Sequence, residues 1–321
     1  MTQQPETHVW NPSVFWLRQG QARLNIPNST RSESITWSFL TMPLQYAPIT
    51  LVECKMSGFG ISVSGFGDGM LIKGAMIRAF AEAYERLWML HLGDELNDLF
   101  GSKGITSSNG FAAGPTAESA LSNSRGELME RALMIEAWQS MRGWNRYSLT
   151  SALSKALAAV LEFHGWKIQT FHLREKDLGS ALVGIARHPQ HGATFDSKWI
   201  PANQTAKQVE LKLLRSILKI VRKKPVHSSE HSDFPEKGIP NDQARFYSDL
   251  SHCAQAFSFL ENSSDQNEVI TLSEPEKIIS KLVIEATLFP AVAVSAHHNW
   301  TPLTWGKQSI RGKNPWPHPL A

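Results

Sequence analysis

The chain has 321 residues, 42% of them hydrophobic and 19% charged, with a formal net charge of +3. Those proportions are those of a globular protein; so small a net charge excludes a strong nucleic-acid or membrane footprint, and no run of about 18 apolar residues offers a membrane span. Cys54 and Cys253 form neither C-x-x-C nor a disulfide framework, and the start M-T-Q-Q-P-E-T-H lacks the basic and apolar regions of a signal peptide, so a reducing cytoplasm is the expected compartment.

In chain order, residues 1–44 are polar, with Pro5, Pro12 and Pro27 and the aromatics Trp10, Phe15, Trp16 and Trp37. They read as an irregular N-terminal arm that packs by its aromatics, and residues 45–321 as the main domain. Residues 49–53 (I-T-L-V-E) have strand character. A glycine-rich turn over 57–69 then leads into a long helix over 71–92. Residues 93–103 read as a connector and 106–114 as a second glycine-rich turn. Pro115-Thr116-Ala117-Glu118 opens a second long helix, with proline where a helix start tolerates it.

Beyond Trp144 the spacing predicts a helix over 149–163, a strand over 166–173, a short buried strand over 181–187 and an amphipathic helix over 206–221. Residues 222–267 are rich in Ser, His, Asp, Glu and Lys, and read as a mobile surface insertion with a short helix near 242–259. Strands are expected over 269–272 and 291–294, with 275–285 helical between them. The arrangement is α+β. His227, His231 and His252 have no metal-ligand spacing.

One stretch says nearly the same thing twice. S-V-S-G-F-G-D-G (62–69) leads to Glu82, Glu85 and Arg86; S-S-N-G-F-A-A-G (107–114) leads to Glu127, Glu130 and Arg131. A shift of 45 positions, without a gap, puts Gly65 on Gly110, Phe66 on Phe111, Gly69 on Gly114, Ala75 on Ala120 and each E-x-x-E-R on the other. Residues three and four apart share a helix face, so each glutamate pair projects together with its arginine. Taken singly, E-x-x-E-R is ordinarily a solvated face with a weak ion pair; that reading gives no reason for two copies to agree in register. If both helices pack into a core, their carboxylates need a cation, a proton or hydrogen bonds. Mg²⁺ takes oxygen ligands from carboxylates and substrate phosphates, and a glycine turn before a helix supplies backbone N–H groups to an anion. The combination reads as a Mg–nucleoside triphosphate site.

At these residues the chain resembles the YcaO-domain family. The residues that carry the resemblance are 79–86, then Ser107, Asn109, Gly110, Ala112, Ala113, Gly114, Thr116 and Ala120, followed by Glu127, Glu130 and Arg131. The second motif is long and specific, and with the C-terminus the resemblance spans roughly residues 50–321. It implies a YcaO-like fold, with mixed sheets packed by long helices. It further implies ATP and Mg²⁺, with Glu82, Glu85, Glu127 and Glu130 as metal ligands and Arg86, Ser107, Asn109 and Arg131 as phosphate contacts.

The chain ends R-G-K-N-P-W-P-H-P-L-A. Alternating prolines stiffen an extended backbone, and Pro315, Pro317 and Pro319 match the P-x-P-x-P tail of azoline-forming members. The resemblance runs that tail into the active site and makes the Ala321 carboxylate the candidate acid/base group. The expected activity is ATP-dependent cyclodehydration of a ribosomally made precursor peptide to thiazoline or oxazoline rings. A ubiquitin-activating-like protein is the expected leader-binding partner, and a flavin dehydrogenase fits the same complex. Two alternatives stand beside this: a thioamide-forming enzyme, against which the proline tail argues, and an inactive scaffold subunit. For the latter speak Lys219, where an acid is usual, and Ala132, where the family often has Asp.

Overall fold

The computed structural model describes residues 19–25, 32–43, 49–100, 110–223, 246–247, 249–262, 268–285, 289–297, 300 and 312–319. The chain divides into two compact units, Met1–Leu128 with Glu274–Asn299, and Met129–Ser273 with Trp300–Ala321.

In the first unit, β1 (Gln19–Asn25), β2 (Ser32–Pro43), β3 (Thr50–Gly58) and β4 (Ile61–Gly69) form an antiparallel sheet in chain order. Two sequence expectations change here. Residues 19–25 and 32–43 are strands rather than an irregular arm: Ile35 and Trp37 point into the core while Ser34, Thr36 and Ser38 are exposed, a period-two pattern whose polar half hid it. The glycine-rich stretch over 57–69 is a hairpin whose turn is only Phe59-Gly60, at φ 55° and 72°.

The glycines of β4 serve helix packing. A Cβ on Gly67 would lie 1.9 Å from the carbonyl oxygen of Ala75, and one on Gly65 2.2 Å from the nitrogen of Ala83. The helix they admit, α1 (Ile72–Phe100), sets the fully buried Ala75, Ala79 and Ala83 against them, four residues apart on one face. This helix runs on through Gly93, where a connector was expected; a single glycine weakens a helix by only about 1 kcal/mol, and D-E-L-N-D-L-F continues it.

A second antiparallel sheet, in the order β11 (Ile279–Ile284), β12 (Ala291–Ala296), β5 (Phe111–Gly114), completes the unit. The expected helix over 275–285 is a single 3₁₀ turn, Pro275–Lys277, followed by β11, whose I-I-S-K-L-V-I run has the β-branched content of a strand. Trp37, Phe80, Tyr84, Trp88, Phe289 and Val292 belong to one core, in which Phe289 stacks on Tyr84 at 5.1 Å between centroids.

The repeat is structural as well as textual. β4 ends at Gly69 and β5 at Gly114; α1 begins at Ile72 and α2 (Ala117–Ser140) at Ala117, again 45 residues apart (114 − 69 and 117 − 72). Thr116 and Ser119 close the start of α2 reciprocally, each accepting the other's backbone N–H on its hydroxyl.

The second unit holds a sheet of β7 (Lys167–Glu175), β8 (Gly179–His188), β9 (Gly192–Pro201) and β10 (Val269–Ile270) in the order β10-β7-β8-β9, with β6 (Asn145–Arg146) also paired to β7. The β10 pairing is parallel and the others antiparallel. Two helices, α3 (Ala152–Phe163) and α4 (Ala206–Lys223), pack on this sheet. The polar-insertion reading fails over 246–262. There α5 (Leu250–Ala256) and its flanks put Tyr247, Cys253, Phe257 and Leu260 into the core beside Trp138 and Trp144. Residues 224–245 lie outside the described residues. Among the described residues no helix is long and apolar enough to cross a membrane.

Candidate active site

On α1, Glu82 and Arg86 work as a pair. Glu82 Oε2 accepts from the backbone N–H of Phe66 at 2.8 Å, Arg86 Nη1 donates to the carbonyl of Ser64 at 2.6 Å, and the two side chains meet at 2.6 Å. β4 ends the strand order of its sheet, and the pair occupies peptide groups that a further strand would otherwise use. One turn on, Glu85 Oε2 accepts from the N–H of Ala113 on β5 at 3.1 Å.

Glu85 is the electrostatic anomaly of this unit. Burial first, and then the charges of Glu127 and Glu82, push its carboxyl well above the usual carboxylate range; the Ala113 N–H and Arg86 offset only part of this. Three carboxylates from the two copies of the repeat thus act on one another, and a cation placed among them would restore the ionised form.

In the second unit Glu130 is held on both oxygens. Ser197 Oγ donates to Oε1 and the backbone N–H of Trp199 to Oε2, each at 2.7 Å, while Arg131 lies 3.7 Å away. Next to it on β9, Lys198 Nζ meets Asp196 Oδ2 at 2.7 Å. Burial pushes the Asp196 carboxyl up, but Lys198, the Ser216 hydroxyl and Arg131 outweigh it and hold the group below its ordinary value. Burial pulls the Lys198 ammonium down, and Asp196 and Glu130 outweigh that in turn and raise it. Two carboxylates and two cations therefore balance in charge.

β9 was missed in the sequence. Its signal was the turn H-P-Q-H-G between β8 and A-T-F-D-S-K-W-I, two apolar-rich runs flanking turn residues.

Glu82, Glu85 and Glu130 each accept a strand N–H, so the first task of these carboxylates is to pin helices to strands. Of the backbone N–H groups in the two glycine-rich stretches, those of Phe66 and Ala113 go to glutamates and not to an anion. Gly110, at φ 74°, instead permits close approach to β12, where a Cβ would lie 2.2 Å from the Ser295 carbonyl oxygen. Ser107 and Asn109 lie outside the described residues. Among the described residues no group of three or more His, Cys, Asp or Glu side chains is set to hold a metal ion as it stands. The donor set nevertheless suits Mg²⁺, which keeps water and phosphate ligands and needs only one or two carboxylates.

The tail is docked. Pro317, His318 and Pro319 are buried and Pro315 is exposed. Trp138 Nε1 donates to the Trp316 carbonyl at 2.9 Å, and Tyr247 Oη donates to that of Pro317. Ala321 lies outside the described residues.

No family model matches the chain, and no curated protein matches its sequence. Solved structures do. YcaO from Methanopyrus kandleri, bound with AMPPCP and Mg²⁺, superimposes with a TM-score of 0.56 at 11% identity, over 81% of this chain and 84% of that one. A chain of the E. coli microcin synthetase McbBCD complex with pro-MccB17 bound gives 0.55 at 10% identity, over 86% and 89%. A heterocyclase in complex with substrate and cofactor gives 0.52 at 10% identity, over 84% of this chain and 51% of that one. With two E-x-x-E-R helices, each following a strand in one register, this chain has the YcaO fold.

Proposed function

We propose that the chain is an ATP- and Mg²⁺-dependent cyclodehydratase of a ribosomally made peptide. The observation that carries the reading is Glu85, pinned to the Ala113 N–H of the second repeat copy, whose carboxyl is raised first by burial and then by the charges of Glu127 and Glu82. Such crowding is expected where a divalent cation is the missing partner. The M. kandleri protein of the same fold carries AMPPCP and Mg²⁺, and the microcin synthetase complex holds pro-MccB17, which supports a nucleotide and a peptide as ligands.

In this reading Glu82, Glu85, Glu127 and Glu130 are the Mg²⁺ ligands, and Arg86, Arg131, Ser107 and Asn109 face the phosphates. The ion would neutralise phosphate charge during transfer. A substrate Cys, Ser or Thr attacks the preceding amide carbonyl, and its proton passes to the Ala321 carboxylate. The resulting oxyanion takes the γ-phosphoryl group and ADP leaves. Loss of phosphate and of the amide proton then closes the C=N bond of an azoline. Pro315, Pro317 and Pro319 hold the terminal carboxylate by stiffness. The precursor peptide, a ubiquitin-activating-like leader-binding protein and a flavin dehydrogenase are the proposed partners, in the cytoplasm.

Calorimetry with a non-hydrolysable ATP analogue tests the core of this. Binding should require Mg²⁺ and be lost in Glu85→Gln/Glu130→Gln; wild-type affinity in that variant would sink it. One observation favours a second reading, an inactive scaffold subunit: both Glu130 oxygens are already committed to β9. A folded wild-type chain that binds no Mg–nucleotide would select that reading.

A further inference from the structure

The tail meets α2 at its C-terminal end. The last carbonyls of a helix lack intrahelical partners. Here the carbonyl of Gln139 accepts from the N–H groups of Lys313 at 2.9 Å and Asn314 at 3.2 Å. Gly312 makes this approach possible: its φ is 74°, and a Cβ there would lie 2.9 Å from both Cβ and O of Gln139. The next contacts fall on successive residues. Trp138 Nε1 takes the carbonyl of Trp316, and Tyr247 Oη takes that of Pro317. Trp138 and Tyr247 are almost fully buried, at 1% and 3% exposure, so neither can shift to follow a slipped tail.

Trp138 also stands seven residues after Arg131 on one helix. Seven residues are two turns, about 10 Å along the same face. The helix that carries the second E-x-x-E-R therefore also grips the tail.

We propose that Trp138, Gln139 and Tyr247 are positioning residues that fix the register of the proline tail on α2. The proposal rests on the reading of that tail as part of the active site. A tail shifted by one residue would offer Trp138 and Tyr247 different carbonyls and move the chain end by about 3 Å. Proline makes the scheme economical, because an X-Pro carbonyl remains available while the ring removes a competing N–H and fixes φ.

Hydrogen exchange read by mass spectrometry on the full chain tests this, with Tyr247→Phe and Trp138→Phe compared with wild type. Tyr247→Phe removes one hydroxyl and keeps the ring in its core. The amides of Lys313, Asn314 and Trp316 should exchange at least tenfold faster in Tyr247→Phe, and faster again in Trp138→Phe. Protection in β7 and β8 and the affinity for Mg–ATPγS should be unchanged in Tyr247→Phe. Wild-type protection of Lys313, Asn314 and Trp316 in Tyr247→Phe would overturn the proposal, as would loss of protection throughout the unit in that variant. A wild-type chain that fails to bind Mg–ATPγS counts against the proposed function, while the exchange result still decides whether these residues hold the tail.

Discussion

Glu85 on α1 accepts the backbone N–H of Ala113 on β5 at 3.1 Å, so the first copy of the repeat is tied to the second by its most electrostatically stressed carboxyl. The sign of the pH effect follows. A carboxyl whose folded pKa is raised contributes stability fully present below its unfolded pKa, and that stability is lost as pH rises through the raised value. Glu85→Gln keeps an acceptor for Ala113 but never ionises. It should melt within about 1 °C of wild type at pH 5 and about 2–4 °C above it at pH 8, the shift that ~1 kcal/mol produces in a cooperative unit the size of the first compact unit. Added Mg²⁺ should raise wild-type Tm at pH 8 and leave the variant unmoved. Melting curves of the two proteins that coincide at both pH values would remove the carboxylate cluster from the account.

The strand–helix contact at Gly67 makes a purely steric prediction. Gly67→Ala forces a Cβ against the backbone of Ala75, which has no rotamer to yield, and should cost about 3 kcal/mol. Gly60 differs: it has φ 72° and nothing within 4 Å of its Cβ position. Gly60→Asn should therefore change stability by less than about 1 kcal/mol, since Asn tolerates the left-handed region. Urea unfolding midpoints of both variants check this.

These glycines also show what the sequence could and could not say. The register of Gly65 and Gly69 with Gly110 and Gly114 was legible, and so were the two E-x-x-E-R helices, because periodicity and repetition survive in one dimension. Their purpose was not. A glycine needed for φ above zero and one needed for close approach look alike in a sequence, and only the packing of Ala75, Ala79 and Ala83 separates them. β2 was hidden by its exposed serines and threonines, which lower mean hydropathy without breaking the alternation, and β1 (Q-G-Q-A-R-L-N) by its glutamines, arginine and asparagine. Likewise, 246–262 reads together with the polar stretch that precedes it, yet Tyr247, Phe257 and Leu260 suffice to bury one face. The partners of Glu130 lie 67 and 69 residues away on β9, beyond any local pattern.

Glu210 offers a second pH prediction. Its carboxylate accepts from Tyr147 Oη at 2.6 Å, from Thr150 N–H and Oγ1 at 2.9 and 2.7 Å, and from Ser151 N–H at 2.9 Å, joining α4 to the start of α3. Burial opposes ionisation, but these donors outweigh it and bring the pKa down to about 2. A depressed folded pKa gives stability that is present above the unfolded value and lost as pH falls through about 2. Glu210→Gln should be less stable at pH 7 by about 2–4 kcal/mol, since hydrogen bonds to a charged group contribute about 1.5–3 kcal/mol each and Gln retains some of them. The gap should narrow between pH 4.5 and pH 2. A gap that stays constant over that range would show that the charge contributes nothing.

Glu130 separates anchoring from ligation. Its two oxygens hold Ser197 and Trp199, and removing the side chain would strip buried donors of their acceptor. Glu130→Ala should thus cost about 3 kcal/mol or more whatever else the residue does, which makes alanine uninformative here. Glu130→Gln is the sharper probe. The amide oxygen still serves one donor, so the chain should fold with a Tm within about 5 °C of wild type. The negative charge beside Arg131 and Lys198 is gone, and a Mg²⁺ ligand of full charge goes with it. If Glu130 ligates the ion, affinity for Mg–ATPγS should fall at least tenfold in Glu130→Gln, while Ser197→Ala, which frees one oxygen, should leave it equal or tighter. Unchanged affinity in Glu130→Gln would assign Glu130 to holding β9 alone and leave ligation to Glu82, Glu85 and Glu127.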